Sequence, residues 1–320
     1  HEDRPEVAEA TGDEIASMLD DGVIVWADVE ELFHSIDAGT ESGAKTLTTL
    51  VRPVLFTQGA DWTTVSDQLE AATNVEDFSV RRELVTTVGE LLSSGAVSYR
   101  DIAAILPALF DTFSPAFREF TVITLTDELI PATVTREDLR LVVDYVLEDE
   151  DARVRQRGIE LASTYLAEEY DEQLWDSVVE IAVELEQPVG VLEASFKGIG
   201  RTYPHDSVTE RVATAIRGAV HDDALPPQVR GRAVFGGAMV VTTVRETDQR
   251  RVGLFELLVE SLGPDEADTV RTAAANGLAV CMDHQQAGDP VRERLLAPYA
   301  DELGAVLSQA LNDLELPASV

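Results

Sequence analysis

Apolar residues recur at three- and four-residue spacing along almost the whole chain, and no stretch keeps the period-two alternation of a half-buried strand. The pattern predicts helices nearly everywhere. Ile102, Ile105, Leu106, Leu109 and Phe110 form one narrow stripe, as a helix on an outer layer would need. Val29, Leu32, Phe33 and Ile36 form another, on a helix expected to start near Asp28 with Glu31 as its capping partner. An earlier helix is expected from about Asp13 to Leu19, with Thr11 and Glu14 in a capping box and Gly22 past its end. Ser98 with Asp101, Thr135 with Asp138 and Ser207 with Glu210 announce three further starts, each followed by apolar residues at helical spacing.

A longer period overlies the helical one. Arg81, Arg118 and Arg155 lie 37 residues apart, each one place after an apolar residue, namely Val80, Phe117 and Val154. Leu192 after Val191 takes the next place, Arg230 and Arg271 continue the series, and Lys45 after Ala44 extends it towards the N-terminus. A repeat of this length is one helical pair, which buries its apolar face only by stacking on its neighbours. The register places the second helix of each pair at roughly 42–56, 79–93, 115–130, 151–168, 189–202, 227–244 and 267–282. Pro115, Pro188 and the Pro226-Pro227 pair stand where such helices begin, a position in which a missing N–H costs nothing. The expected organisation is one continuous all-α array of about seven pairs. Residues 1–41 would form an N-terminal helical cap, 42–282 the repeats, and 283–320 a capping helix and tail.

Three segments carry a resemblance. Asp151-Ala-Arg-Val-Arg-Gln-Arg-Gly-Ile-Glu-Leu-Ala, Pro227-Gln-Val-Arg-Gly-Arg-Ala and Asp268-Thr-Val-Arg-Thr-Ala-Ala-Ala-Asn-Gly-Leu look like the second helix of HEAT repeats: Asp or Pro, then Val-Arg, small residues and Leu. The resemblance covers most of residues 42–282 and implies a right-handed α-α superhelix. It also implies that the motif Arg forms a ladder with acidic residues. Asp77 and Asp151 stand four places before Arg81 and Arg155 and are expected to share a helix face with them. Function does not follow from the fold, because HEAT solenoids serve as adaptors, transport factors, lyases and DNA-repair enzymes alike.

Composition narrows the classes. Sixty acidic against 24 basic residues give a formal charge of −36, and only Lys45 and Lys197 are lysines. This resembles the composition of a salt-in extreme halophile, in which dense carboxylates keep the surface hydrated while salt screens their repulsion. No run approaches the roughly 18 apolar residues of a membrane span. The lone Cys281 excludes an intramolecular disulfide framework and any multi-cysteine metal site; no redox compartment follows from one cysteine, and a reducing cytoplasm is the simplest setting.

One stretch departs from the rest. Residues 190–255 hold nine basic and seven acidic residues, a balance of +2 that leaves −38 elsewhere, together with eight glycines. Loss of acid is what a partner-binding patch would need, since carboxylates there would have to be desolvated. Lys197, Arg201, Arg232, Arg245 and Arg250 are the candidate contacts. The competing reading is close packing, with Gly236-Gly237 and the other glycines admitting neighbouring helices.

Catalytic chemistry finds no constellation. His1, His34, His205, His221 and His284 are scattered, and none has a second His at i+4 to make a metal pair. The His-Glu dyads that a likeness to di-iron HEAT hydroxylases would require are missing. Cys281 lies on an apolar helix and is expected to be buried and inert, and the three tryptophans to pack in the core or cap grooves. No catalytic, cofactor-binding or metal-binding residue is therefore assigned. The expectation is a cytoplasmic scaffold or adaptor that binds a protein partner through the inner surface built from the second helices. The competing class is a nucleic-acid-binding or base-excising solenoid resembling the HEAT-like DNA glycosylases, against which the overall acidity counts.

Overall fold

The computed structural model describes residues 5–56, 60–111, 114–126, 136–168, 170–202, 209–243 and 249–284, and all regular structure among them is helical. The chain divides into two compact units, His1–Gly158 and Ile159–Val320. In the first, α1 (Pro5–Asp20) and α2 (Trp26–Ser35) precede α3 (Glu41–Phe56). Then come α4 (Trp62–Thr73) with α5 (Phe78–Ser93), and α6 (Tyr99–Ile102) and α7 (Leu106–Phe110) with α8 (Pro115–Thr126). Next are α9 (Arg136–Leu147) and α10 (Ala152–Glu168), whose residues from Ile159 on belong to the second unit. That unit continues with α11 (Glu172–Val183) and α12 (Val189–Thr202), α13 (Glu210–His221) and α14 (Pro227–Thr243), and α15 (Gln249–Glu260) and α16 (Asp268–His284).

Each stretch that the Arg register assigns to a second helix coincides with a helix: α3, α5, α8, α10, α12, α14 and α16. Their ends fall within two residues of the expected ones, except that the expected end of α8 near residue 130 lies outside the described residues. In the first unit α1, α3, α5 and α8 stack in succession; in the second α12, α14 and α16 form one layer and α11, α13 and α15 the other. The sequence cause is visible in α5, where Val80, Leu84, Val85, Val88 and Leu91 lie along one side and are fully buried. Each such side chain contributes about 1.5–3 kcal/mol on burial, which only a neighbouring helix can supply. Among the described residues no helix is long and apolar enough to cross a membrane.

Several helix starts differ from expectation, each for a local reason. α1 already runs from Pro5, so Thr11 lies inside it and not at its start; Glu6, Ala8, Glu9 and Ala10 before it are good helix formers. Its end is as expected: Gly22 takes φ +66°, its N–H donates to the Leu19 carbonyl at 3.1 Å, and Val23 N–H donates to Met18 at 2.8 Å. α2 begins at Trp26, and Asp28 serves as its third residue, accepting the Val25 N–H at 2.9 Å instead of pairing forward with Glu31. Ser98 and Asp101 do form the capping box. The helix they start, however, breaks over residues 103–105, because Pro107 has no N–H and its ring would meet the carbonyl of Ala103. Ile102, Ile105, Leu106, Leu109 and Phe110 are nonetheless all buried. α13 is capped by Thr209, whose hydroxyl accepts the Val212 N–H at 3.3 Å, so Glu210 is its first residue. Ser207 and Thr135 lie outside the described residues.

Candidate protein-binding surface

The repeating Arg residues are fixtures of the fold: Arg118, Arg230 and Arg271 pair with acidic residues of their own or the next pair, as a ladder implies, whereas Asp77 and Asp151 are not the partners of Arg81 and Arg155. Asp77 does not pair with Arg81; it caps α5, accepting the N–H groups of Ser79 and Val80 at 2.9 and 3.1 Å. The Ser79 hydroxyl and these amides hold its carboxyl below the usual Asp range. An N-cap residue lies outside the helix and has no face in common with the residue four places on. Arg81 instead donates to the carbonyls of Val75 at 2.9 Å and Asp111 at 2.8 Å. Asp151 likewise accepts from Arg153, while Arg155 donates to the carbonyls of Asp149 and Glu150 at 2.6 and 2.9 Å. Arg118 grips both carboxylate oxygens of Asp149 at 2.7 and 2.9 Å, with both side chains over nine-tenths buried. Arg230 reaches back to the Val220 carbonyl at 2.8 Å and forward to Glu266 at 2.6 Å. Arg81 and Arg230 thus tie the loop that ends one first helix to the loop of the next pair, Arg118 reaches the next loop alone, and Arg155 fastens the loop before its own helix.

The glycines of the 190–255 stretch are packing devices. A Cβ on Gly236 would lie 2.7 Å from the Phe196 carbonyl oxygen, and one on Gly200 would lie 3.1 Å from Gly236 Cα. Further along, a Cβ on Gly277 would lie 2.6 Å from Ala238 Cβ. α12, α14 and α16 therefore touch nearly backbone to backbone. On α14, Gly231 faces α16, Gly236 faces α12, and Gly237 faces Ile216 of α13 and Leu254 of α15. Only one side of that helix remains, and Gln228, Arg232, Phe235, Met239 and Thr242 occupy it at steps of four, three, four and three. None is acidic. The corresponding exposed or half-exposed side of α12 holds Gly190, Glu193, Lys197 and Arg201, and α16 adds exposed Thr272, Ala275, Asn276 and Ala279.

Of the five candidate cations, the structure keeps three together. Lys197, Arg201 and Arg232 are exposed on α12 and α14. Lys197 and Arg201 each follow a residue of the α12–α14 contact, Phe196 and Gly200, and Arg232 stands one turn before Gly236. Among the described residues no carboxylate lies within ion-pair distance of any of the three. Arg250 does not belong with them, because it is half-buried on α15 in the other helix layer. Arg245 lies outside the described residues.

Charge is divided between the two classes of helix. The first helices α2, α4, α6, α7, α9, α11, α13 and α15 carry fifteen acidic and seven basic residues, near the ratio of the whole chain. The second helices carry nine acidic and thirteen basic. Setting aside the five repeating Arg leaves eight against nine, still far from 24 against 60. Deeper burial alone would deplete both signs together.

The first unit offers a different kind of surface. An open cleft of about 420 Å³ between α3 and α5 is lined by Thr48, Thr49, Phe78, Arg82, Glu83 and Glu90 among others. Phe78 is 61% exposed and meets Phe117 edge-on at 5.5 Å, and the Arg82 guanidinium lies over Phe120 at 5.8 Å. The cleft escaped sequence reasoning, for which an exposed Phe at a helix start is indistinguishable from a core residue. Trp175 is buried, whereas Trp62 is half-buried and donates from Nε1 to the Asp101 carbonyl at 2.9 Å. Cys281 is fully buried, and loss of solvation pushes its thiol up to about 12, so it holds no thiolate at neutral pH. No known protein family, curated protein or solved structure matches the chain.

Proposed function

We propose that the chain is a non-catalytic scaffold, a HEAT-like right-handed solenoid of about seven pairs whose second-helix surface binds another protein. On this reading residues 1–41 and 283–320 cap the array, the protein works in the cytoplasm, and its acidity reflects life at high salt. The observation that carries it is the division of charge. A hydration requirement acts on every face that meets water, so a face that escapes it has another neighbour. Solenoids present such faces as long binding surfaces. Affinity capture at native salt tests the reading with two altered baits. Arg82→Glu with Lys197→Glu and Arg232→Glu is expected to lose partners held by the wild type. Asp176→Lys with Glu180→Lys, on exposed α11 positions, is expected to keep them. Retention of every partner by the first bait sinks the proposal. The same cations also support a nucleic-acid reading, but the second unit as a whole has 28 acidic and 12 basic residues, which repels phosphate.

A further inference from the structure

We infer that the second-helix face of the unit Ile159–Val320 recognises an amphipathic helix that carries Asp or Glu along one edge and large apolar side chains along the other. This rests on the scaffold reading and adds the chemistry of the partner. α14 is enclosed by its neighbours on every side but one, and that side places Phe235 and Met239, both half-exposed, beyond Arg232. Lys197 and Arg201 stand one helical turn apart on α12, beside the contact with α14. The surface is thus an apolar patch edged by three cations. Its only acidic member on α12 and α14 is Glu193.

The cations are the unusual part. In a chain of net charge −36 carboxylates are plentiful around an exposed cation, and Arg211 meets Asp176 and Glu180 at 3.9 and 4.0 Å. Among the described residues Lys197, Arg201 and Arg232 have no carboxylate in ion-pair range, and Lys197 and Arg201, one turn apart, repel each other, an arrangement that incoming carboxylates relieve. Carboxylates one turn apart on a helix match the Lys197–Arg201 spacing. Molar salt shortens electrostatic reach to about 3 Å, so such pairs act at contact and set register, while the apolar strip supplies affinity. A phosphate backbone fits less well. Its binding draws on counterion release from many cations, which salt suppresses, and it makes no use of Phe235 and Met239.

The test is a display selection of helix-biased peptides on the full-length folded chain in molar KCl. Enriched peptides are expected to carry Asp or Glu at i and i+4 beside an apolar strip. Their affinity should fall about tenfold or more for Lys197→Glu/Arg201→Glu/Arg232→Glu and for Phe235→Ala, and a peptide with Lys in place of its Glu should recover binding to the triple variant. Circular dichroism melts establish that each variant is folded; if the triple variant is not, single reversals at Lys197 and Arg232 replace it. Peptides that need Phe235 but are not acidic, or that ignore the triple reversal, overturn the partner chemistry and leave the scaffold reading standing. Peptides lost only on Asp176→Lys/Glu180→Lys, or no enrichment at all, overturn both. Oligo-dT bound in the same buffer, and released by the triple reversal, assigns the cations to phosphate and also overturns the inference.

Discussion

The second helices of the two units handle cations in opposite ways. In the first unit the cations are spent internally. Lys45 pairs with Glu41 at 3.1 Å, Arg52 of α3 with Glu90 of α5 at 3.5 Å, and Arg157 of α10 with Glu119 of α8 at 3.4 Å; Arg82, exposed over Phe120 at the open cleft, departs from this pattern. In the second unit, among the described residues, no ion pair links α12, α14 and α16. They are held by the glycine contacts at Gly200, Gly236 and Gly277, which need no charge between them. The same repeat position can therefore stitch neighbours together or stay available. Cations of the first kind should matter for stability, and those of the second for binding.

Arg118 gives the largest test of the internal kind. Arg118→Ala leaves the buried Asp149 carboxylate without its cation, though it keeps the Asp151 N–H at 2.8 Å, and unfolding should become easier by about 3–5 kcal/mol in denaturant titration. A loss below about 1 kcal/mol would show that Asp149 finds other donors, and that the repeating Arg is less of a fixture than its geometry implies. Next in size is Gly236→Ala, which drives a methyl against the backbone carbonyl of Phe196 and should cost about 1–3 kcal/mol. Unchanged stability would mean that α12 and α14 can part easily, removing the basis for calling the second unit glycine-stitched. Asp77→Ala removes the α5 cap and should cost about 1 kcal/mol at neutral pH. The folded carboxyl titrates below its unfolded value, so this contribution is present above the unfolded pKa and fades as pH falls through the folded one. A difference between variant and wild type that persists after acidification would argue against the cap. Gly218→Ala has the opposite sign: the nearest atom to its Cβ is Leu185 Cδ1 at 3.6 Å, and α13 should gain about 0.4–1 kcal/mol.

These positions also show what the sequence could reveal. The positions of the second helices were legible because Val-Arg recurs at fixed spacing and the buried stripe and the Arg that ties the loops are parts of one repeated unit. The carbonyl partners of Arg81 and Arg155 were not. Backbone carbonyls carry no sequence signature, and an Asp four places upstream looks the same whether it caps a helix or faces its neighbour. The break at Ala103 was readable in principle from Pro107, but the unbroken apolar stripe outweighed it. Of the candidate cations picked by local charge balance, Lys197, Arg201 and Arg232 lie on second helices and Arg250 on α15, because a balance summed along the chain does not separate the two helix layers. The cleft beside Phe78 needed the α3–α5 contact, which is non-local.

The smallest effect decides most about the comparison. Lys197→Gln/Arg201→Gln/Arg232→Gln should leave stability nearly unchanged, with a gain of at most about 0.2–0.5 kcal/mol from relieving the like charges at Lys197 and Arg201. Lys45→Gln/Arg52→Gln/Arg157→Gln removes pairs worth up to about 1 kcal/mol each and should melt lower at low salt. Glutamine keeps length and hydrogen bonding, so the two triple variants, which lose the same number of positive charges, differ chiefly in whether a carboxylate is left behind. The gap between their melting temperatures should close as KCl approaches 1 M, where the screening length falls to about 3 Å and solvent-exposed pairs lose their reach. If the Lys197 set instead melts as low as the Lys45 set, those three cations already stabilise the fold through partners of their own. They would then be no more available to a ligand than Arg52, and the contrast between the two faces would vanish.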